Sequence, residues 1–584
     1  MRRLRSQEQL LRMILLWSSV GILLGTLAFL SPGSVFMAFL VAGAVFLLAR
    51  YSDRKNRRFL LVLFLSAFMV RVGVSTGLDL LSWKIEGELP YQDGPVQGWN
   101  LHINDKTRGY LKIGDSDYFS QRGYATAQFV EGSDEPVLAF RISQYGEHGY
   151  VYGIGWFYHL FGFSPCAVKL INCLFGSGIA VLVVLLGERC FGTVPGRWAG
   201  VLAAVFPSMV LWSTTNLKDI PLTFFTTLIL FLYSQLFRAR NRRSRLVLLL
   251  LLLVSLGIHM TFRSVELSIL LAALLLVLYF LTRFIRAHPV WTGCLLLALL
   301  ALGTALSFRE PVGYQIRQVL GQLFNWHVGF NMTPGSSYKY LPDEFYRGTY
   351  RLEWVETGRM NSAILLGMGW AVLHYLFEPF PWNISNWFQW LAYPQLLIWY
   401  ALFPFAVTGL ILGLRKKQEI TLALVLTTIA FVGIGALAHG NIGTLFRQRD
   451  MVTPLFLIIG CAGLHRIVRQ SYWQGSRFLG LLSRFFGSMC QRLECTVQRI
   501  AQALGNGPMG QSLRDAPLRS VGIMGIAVLA TRKLLLSVHG QTSTSWMETA
   551  GAMLGTVALL ALFHRGNWRQ VAEGSWILRF LQRS

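Results

Sequence analysis

The chain has 584 residues, of which 53% are hydrophobic and only 14% are charged. A mean hydropathy of +0.47 excludes an ordinary water-soluble protein, because soluble domains carry roughly 25% charged residues. The 53 Lys and Arg residues outnumber the 28 Asp and Glu residues, which gives a net charge of +25. Since the arginines lie in short segments between apolar runs, we expect contact with anionic membrane lipids and no nucleic-acid partner.

Apolar runs of the length that crosses a bilayer recur along the whole chain. About 17 to 25 apolar residues span a hydrocarbon core of roughly 30 Å, and inside lipid such segments must be helical. The runs lie near 11–30, 34–49, 59–78, 165–187, 196–213, 219–237, 246–261, 264–282, 290–307, 394–414, 420–437 and 448–467, with a weaker pair near 520–538 and 548–564. We therefore predict an all-α polytopic membrane protein of about 12–14 transmembrane helices, with two large exterior loops carrying amphipathic helices.

Clusters of basic residues set the orientation of these spans. If the spans simply alternate, every cluster falls on one side, which the positive-inside rule makes cytoplasmic. The N-terminus is then cytoplasmic, and the default location is a bacterial inner membrane. The clusters are Arg2, Arg3 and Arg5; Arg50, Arg54, Lys55, Arg57 and Arg58; Arg238, Arg240, Arg242, Arg243 and Arg245; and Arg415, Lys416 and Lys417.

The same pattern divides the chain into segments. The acidic exterior loop 79–150 belongs to the second of them, and the third is an aromatic-rich exterior loop. The predicted segments are an N-terminal transmembrane hairpin (1–58), a transmembrane core (59–307), the second exterior loop (308–393), C-terminal core spans (394–467), a basic cytoplasmic or interfacial segment (468–518) and a terminal transmembrane hairpin (519–584).

The loop 79–150 concentrates acidic residues in a strongly basic protein. It contains eleven Asp or Glu residues against six Lys or Arg residues. Asp115 and Asp117 follow a turn glycine, and the spacing from Asp115 to about Gln128 predicts a short amphipathic helix on the membrane surface. Two carboxylates at such a place can serve as a general base and a metal ligand. The alternative is that one of them only caps the helix.

Further candidate site residues follow at the ends of spans. Glu147 and His148 are candidate ligands of a divalent metal ion, the only cofactor that the sequence suggests. The candidates for binding the substrate or its phosphate are Arg122, Lys218, Asp219, Arg447 and Arg449. The guanidinium fork of arginine suits a phosphate, whereas Lys218 and Asp219 can also form an ion pair with each other.

The order and sidedness of these motifs resemble the GT-C class of membrane glycosyltransferases, which includes protein mannosyltransferases and lipid A aminoarabinose transferases. The resemblance covers about 59–240 and, less fully, 440–467. It is carried by Asp-x-Asp-Tyr at 115–118, the aromatic stretch 149–162, Val-Lys-Leu-Ile-Asn at 168–172, Asn-Leu-Lys-Asp at 216–219 and Leu-Phe-Arg-Gln-Arg at 445–449. Where aminoarabinose transferases have Glu-Lys-Pro-Pro, this chain has Glu147 and His148 without the prolines.

The resemblance implies transfer of a sugar from a polyprenyl-phosphate donor to a lipid, glycan or protein acceptor on the exterior face. It implies that Asp115 or Asp117 is the acidic residue of the early exterior loop that acts as catalytic base or helps to hold a metal. It also implies that Glu147 binds a metal. Two other functions stay open on the sequence alone: a lipid-linked glycan polymerase or ligase, and a transporter or flippase. Arg71 and Lys169, charged residues near or within spans, are what keeps the transporter open as an alternative.

Overall fold

The computed structural model describes a defined part of the chain. It comprises residues 32–52, 54–86, 116–130, 148–236, 238–239, 241–262, 321, 326–329, 337–339, 362–383, 387–416, 418–473 and 488. Outside it lie the predicted spans 11–30, 264–282, 290–307, 520–538 and 548–564. Asp115, Glu147 and nearly all of 468–584 also lie outside it.

The chain divides into two compact units, 1–57 with 495–584, and 58–494. The helices, in chain order, are α1 (Pro32–Tyr51), α2 (Arg54–Glu86), α3 (Ser116–Val130), α4 (His148–Phe161), α5 (Pro165–Phe191), α6 (Thr193–Val205), α7 (Pro207–Ser213), α8 (Asp219–Leu236), α9 (Arg242–Phe262), α10 (Ser362–Phe377), α11 (Trp387–Lys416), α12 (Glu419–Ala438), α13 (Ile442–Gln448) and α14 (Thr453–Trp473). The first unit contains α1, and the second contains α3 to α14.

Six of the described helices are long and apolar enough to cross a membrane, and two bent helix pairs raise the number to eight. The described residues form no β-strand beyond one isolated bridge between Ser337 and Asn441. The predicted class, an all-α polytopic membrane protein, is therefore confirmed. The predicted short helix is also found, since α3 covers Ser116–Val130.

Within the second unit, contacts between helix ends define two opposite ends of the helical bundle. At one end Arg189 Nη1 donates to Ser234 Oγ at 2.5 Å, and Lys416 Nζ donates to the carbonyl of Cys190 at 2.9 Å. At the other end Asp219, the first residue of α8, meets α13. The 18 residues of α8 separate these ends by about 27 Å at 1.5 Å per residue. The basic segments that follow α8 and α11 thus start from the same end of the bundle.

A break between α6 and α7 changes the course of one span by 51°. Pro207 lacks the N–H that would bond to the carbonyl of Ala203. Arg71 replaces it: Nη2 donates to the Ala203 carbonyl at 3.2 Å and Nη1 to the Ala204 carbonyl at 2.7 Å. Beyond the break, the Ser208 N–H donates to Gln395 Oε1 at 2.7 Å. Arg71, which kept the transporter open as an alternative on the sequence alone, therefore serves the break in this structure.

Gly176 on α5 makes room for this arrangement. A Cβ placed on Gly176 would lie 2.6 Å from Arg71 Nε and 2.9 Å from Ser213 Cβ. Any larger residue would push the guanidinium away from the carbonyls that it satisfies. The close approach of α5, α2 and α7 therefore depends on the absence of a side chain at this position.

A second bend, of 66°, separates Ile442–Met451 from α14. Asn441 caps α13, because its Oδ1 accepts from the N–H groups of Gly443 at 2.9 Å and Thr444 at 3.2 Å. The sequence placed the start of this span at 448. The structure instead has a short helix, a 3-10 turn at Arg449–Met451 and then α14.

Helix α10 lies inside the segment that the sequence assigned to an exterior loop. Its apolar face packs against α12, where Ala371 and Tyr375 join Ala436 and Leu445 in one buried cluster. Hydropathy alone did not reveal α10, because its apolar run is shorter than a full span. Part of 308–393 is thus packed on the helical bundle.

Replacing Arg71 with Met should destabilise the second unit. The substitution keeps much of the side-chain volume but leaves the carbonyls of Ala203 and Ala204 without their donor. Each buried polar group left unsatisfied costs about 1 to 3 kcal/mol. We expect a lower midpoint of thermal unfolding in detergent. The matched control is Arg243→Met, since Arg243 is exposed at the start of α9; equal midpoints for both variants would contradict this role of Arg71.

Candidate active site

The turn that joins α7 to α8 is fixed by hydrogen bonds from side chains of α5. Asn172, which is fully buried, donates from Nδ2 to the carbonyls of Thr215 at 2.6 Å and Leu217 at 3.0 Å. Sγ of the next residue on α5, Cys173, lies 3.3 Å from the carbonyl of Ser213. This turn, residues 214–218, is therefore fixed in shape, and it presents Lys218 and Asp219 at the beginning of α8.

Asn216 connects the turn to α3. Its backbone N–H donates to Ser116 Oγ at 3.0 Å, and its side-chain Nδ2 donates to Ser120 Oγ at 2.7 Å. Ser116 is the first residue of α3, the helix predicted from the acidic loop. Asp117 lies in the first turn of this helix. The acid-bearing helix and the Lys-Asp turn are thus neighbours in space although about 100 residues separate them.

Lys218 lies against an aromatic wall. Its Nζ is 5.6 Å from the centroid of the Phe119 ring, and only 5% of the residue is exposed. Phe119 in turn meets Tyr150 edge to face at 5.4 Å. Burial raises the pKa of Tyr150, whose hydroxyl oxygen accepts from Asn172 Nδ2 at 3.1 Å. A buried ammonium of this kind is stabilised by ring faces and attracts an anion.

Asp219 pairs with α13. Arg447 Nε lies 3.3 Å from Asp219 Oδ2, and Gln448 Nε2 donates to Asp219 Oδ1 at 3.1 Å. Asp219 is 1% exposed, so this ion pair lies in the interior. The Asp219 carboxylate therefore pairs with a guanidinium that lies more than 200 residues away in the sequence.

Arg449 has a different partner from Arg447. Its Nη2 donates to the carbonyl of Glu378, and its guanidinium carbon lies 5.5 Å from the ring centroid of Trp399. The residue is 1% exposed. The two arginines that the sequence suggested together as phosphate ligands thus serve separate contacts, and Arg449 connects the 3-10 turn to the end of α10.

Asp450, next to Arg449, ties the two helix breaks together. Its Oδ1 accepts from Ser208 Oγ at 2.6 Å and from Thr453 Oγ1 at 3.1 Å. Ser208 follows the break at Pro207, and Thr453 opens α14. This buried carboxyl group therefore locks α7 against the bend that positions Arg447.

His327 lies near the beginning of the same bend. Burial lowers the pKa of His327 to about 3, so its imidazole is neutral at physiological pH. Its ring meets Tyr338, which donates from its hydroxyl to the carbonyl of His439 at 2.6 Å. The Tyr338 N–H donates to the carbonyl of Gly440 at 2.9 Å. A segment of the second exterior loop thus holds the chain just before the Asn441 cap.

Four predicted site residues remain: Asp115, Arg122, Glu147 and His148. Arg122 is 2% exposed on α3, but it lies about 200° around the helix from Ser120, away from the Asn216 contact. His148 begins α4, and Asp115 and Glu147 lie outside the described residues. The described part of the chain contains no cluster of three or more His, Cys, Asp or Glu residues that could hold a metal.

The structure adds polar residues that were not singled out from the sequence. Their positions depend on long-range contacts: Asn216 and Asn172 shape the turn, and Ser208, Gln448 and Asp450 surround Asp219 and the break. One signal was available in the sequence, because Asn172 and Asn216 both belong to motifs that carried the family resemblance. Gln448 likewise belongs to the motif at 445–449, whereas nothing local distinguished Asp450 from an ordinary polar residue at a span end.

Comparison with known proteins supports the resemblance. The family model described as dolichyl-phosphate-mannose-protein mannosyltransferase matches residues 149–308. This range contains the turn 214–218 and both lysines, Lys169 and Lys218. The predicted likeness to GT-C-type membrane glycosyltransferases is therefore confirmed for this part of the chain. A search of curated proteins found no match.

Several solved structures resemble this one. ArnT from Cupriavidus metallidurans in the apo state shares 14% sequence identity at a TM-score of 0.36, with 84% of this chain and 76% of that chain covered. The same protein bound to undecaprenyl phosphate gives 14% identity, a TM-score of 0.33 and the same coverage. The oligosaccharyltransferase AglB from Archaeoglobus fulgidus, in complex with an inhibitory peptide and a dolichol-phosphate, gives 12% identity and a TM-score of 0.36, with 73% and 55% covered.

Replacing Asp219 with Asn should destabilise the protein, because it leaves the guanidinium of Arg447 without its counter-ion. Breaking a buried ion pair by removing one partner costs about 3 kcal/mol. The control is Glu188→Gln, which removes a looser pair with Arg197, at 4.0 Å and with both side chains partly exposed. We expect a clear fall in the thermal midpoint only for Asp219→Asn. The double variant Asp219→Asn with Arg447→Gln should recover part of the loss, and a strictly additive loss would argue against the pair.

Proposed function

We propose that this protein is a membrane glycosyltransferase that moves a sugar from a polyprenyl-phosphate donor to an acceptor on the exterior face of the membrane. The acceptor would be a lipid, a glycan or a protein of the cell envelope. The observation that carries the proposal is the contact between the acid-bearing helix α3 and the turn 214–218 through Asn216. This contact brings a buried cation, Lys218, beside the helix that follows Asp115.

The family match gives independent support, because it includes the whole turn and α8. Among the similar structures, one protein is bound to undecaprenyl phosphate and another to a dolichol-phosphate. A polyprenyl-phosphate donor for this chain is consistent with both. The bundle end that holds Asp219 lies opposite the end that carries the basic segments, so the positive-inside rule makes it the exterior end.

The proposed reaction uses a carboxylate as the general base. The hydroxyl of the acceptor attacks C1 of the sugar, and the bond between C1 and the phosphate oxygen breaks. The carboxylate of Asp115 or Asp117 takes the proton of the attacking hydroxyl. Attack from the side opposite the phosphate inverts the configuration at C1.

The departing phosphate needs positive charge, and we propose that Lys218 supplies it. Stabilising charge that develops on the leaving group lowers the barrier of the transfer. Of the cations considered from the sequence, Arg447 pairs with Asp219, and Arg449 donates to the carbonyl of Glu378. Lys218 lies on a ring face two residues from Asn216. The place of Lys218 beside α3, the helix that follows Asp115, is what supports it as the ligand of the phosphate.

Glu147 and His148 remain our proposed ligands for a divalent metal. His148 is the first residue of α4, and α4 packs against α3. A metal held there would stand beside the same helix as Asp117 and could supply Lewis acidity at the phosphate. The reaction steps proposed above use only side chains of the protein and do not require this metal.

Replacing Asp115 or Asp117 with Asn should identify the base. The variant that lacks the base should lose about 10² to 10⁴-fold in turnover, while the other should lose less. The measurement is transfer of radiolabelled sugar from undecaprenyl-phosphate donors by the purified protein. Asp134→Asn is the control from the same acidic loop and should retain activity. Transfer near the wild-type rate by the double variant Asp115→Asn with Asp117→Asn would refute the mechanism.

Lys218 and Arg449 should differ in their effects. Lys218→Ala should weaken binding of undecaprenyl phosphate by about 30-fold or more, as expected for loss of a buried charged contact of about 2 kcal/mol. Arg449→Lys should mainly lower the thermal midpoint, because the planar fork that reaches the Glu378 carbonyl is lost. Affinity is measured by titrating undecaprenyl phosphate into the protein in nanodiscs. The reverse outcome, with affinity lost only in Arg449→Lys, would place the phosphate at the 3-10 turn.

A further inference from the structure

The carboxamide of Asn216 is satisfied on one side only. Its Nδ2 donates to Ser120 Oγ at 2.7 Å, and its backbone N–H donates to Ser116 Oγ at 3.0 Å. The nitrogen contact fixes which way the amide points. Its other atom, Oδ1, is buried and has no hydrogen-bond partner among the described residues, and the residue is 1% exposed.

A buried carbonyl oxygen without a donor is unfavourable, and native structures leave few of them. Asn216 cannot resolve this by a flip of its amide. A flip would place Oδ1 against the Ser120 hydroxyl, which already donates to the Ser116 carbonyl at 3.1 Å, and would lose the bond that Nδ2 donates to Ser120. The observed orientation therefore presents an acceptor where a hydroxyl or amine donor is required.

The position of this acceptor suggests which donor it receives. Asn216 lies between α3, which carries Asp117, and Lys218, which follows two residues later. The face of the Phe119 ring lies beside Lys218, and the Tyr150 ring meets Phe119 edge to face. A group bound here next to a phosphate would touch one acceptor, one cation and aromatic carbon, a combination that suits a sugar ring with its several hydroxyl groups.

We propose that Asn216 is a specificity-determining residue whose Oδ1 accepts a hydrogen bond from a hydroxyl group of the sugar in a sugar-phosphate lipid. The inference rests on the proposed function and names a contact within the same site. Asn172, below the turn, acts as a positioning residue, because its Nδ2 holds the carbonyls on both sides of Asn216. Ser120 sets the orientation of the amide.

A site built to bond a hydroxyl rejects a ligand that lacks it, because its own acceptor is then left unsatisfied. The wild-type protein should therefore bind one undecaprenyl-phosphate hexose at least about 10-fold more tightly than the analogue that lacks a single hydroxyl. Asn216→Ala should reduce this preference to less than about 3-fold, because no acceptor then remains to distinguish the two ligands. Asn216→Asp keeps an acceptor oxygen and should retain the preference, even if the added charge beside the phosphate weakens both ligands alike.

The experiment measures binding and needs no turnover. The full-length protein in nanodiscs is titrated with undecaprenyl phosphate linked to mannose, glucose or galactose, with the 2-, 3-, 4- and 6-deoxy analogue of each, and with undecaprenyl phosphate alone. Binding of undecaprenyl phosphate alone reports on Lys218 and on folding. Asn216→Ala and the wild-type protein should bind this lipid with affinities within about 3-fold of each other, because it has no sugar hydroxyl that could bond to Asn216. Asn241→Ala, at the exposed start of α9, is the control for a general effect of removing an amide.

The Ser120→Ala variant separates a sugar contact from a structural role. Ser120→Ala removes the contact that orients the amide but leaves Oδ1 and the bond of the Asn216 backbone to Ser116, so the preference for the hydroxyl should fall only in part. Equal loss of the preference in Ser120→Ala and Asn216→Ala would overturn the proposal, and so would an unchanged preference in Asn216→Ala. A wild-type protein that binds no sugar lipid more tightly than its deoxy analogues would also overturn it. Failure of sugar transfer with the preference intact would count against the proposed function alone.

Discussion

The site depends on the break at Pro207. A proline within a spanning helix leaves carbonyl groups without their usual donors, and inside a membrane no water is available to replace them. Arg71 on α2 donates to two carbonyls at the break, and Gln395 on α11 accepts from the N–H of Ser208. Because three helices meet at one break, the direction of α7 is fixed, and the turn 214–218 follows from it.

From this break the contacts extend toward the proposed chemistry. Ser208 bonds to Asp450, which holds the bend between α13 and α14. That bend places Arg447 and Gln448 on Asp219 at the beginning of α8. The same turn reaches α3 through Asn216. A connected set of hydrogen bonds and one ion pair thus compensates charged and polar groups whose burial in a membrane would otherwise be unfavourable.

The distribution of the cations also has a functional consequence. Arg71, Arg447 and Arg449 are bound to carbonyl or carboxylate oxygens of the protein itself. Lys218 lies on the face of Phe119, a contact that an ammonium can keep while it donates to an anion. Arg447, by contrast, would have to share its guanidinium between a phosphate and the Asp219 carboxylate. A phosphate at the turn, as proposed above, would leave the ion pair between Arg447 and Asp219 intact.

The sequence alone determined the class of protein and most of its helices, because hydropathy and residue spacing are local properties. The spans at 59–78, 165–187, 219–237 and 420–437 correspond to helices of the structure, and α3 begins within one residue of the predicted start. Partners were decided only by the tertiary structure. Gln448 and Asp219 lie 229 positions apart, and Arg449 and Glu378 lie 71 apart, so no local pattern could assign them. The partition of Arg447 and Arg449 between two partners, and the contacts of Asn216, follow from helix packing around the Pro207 break.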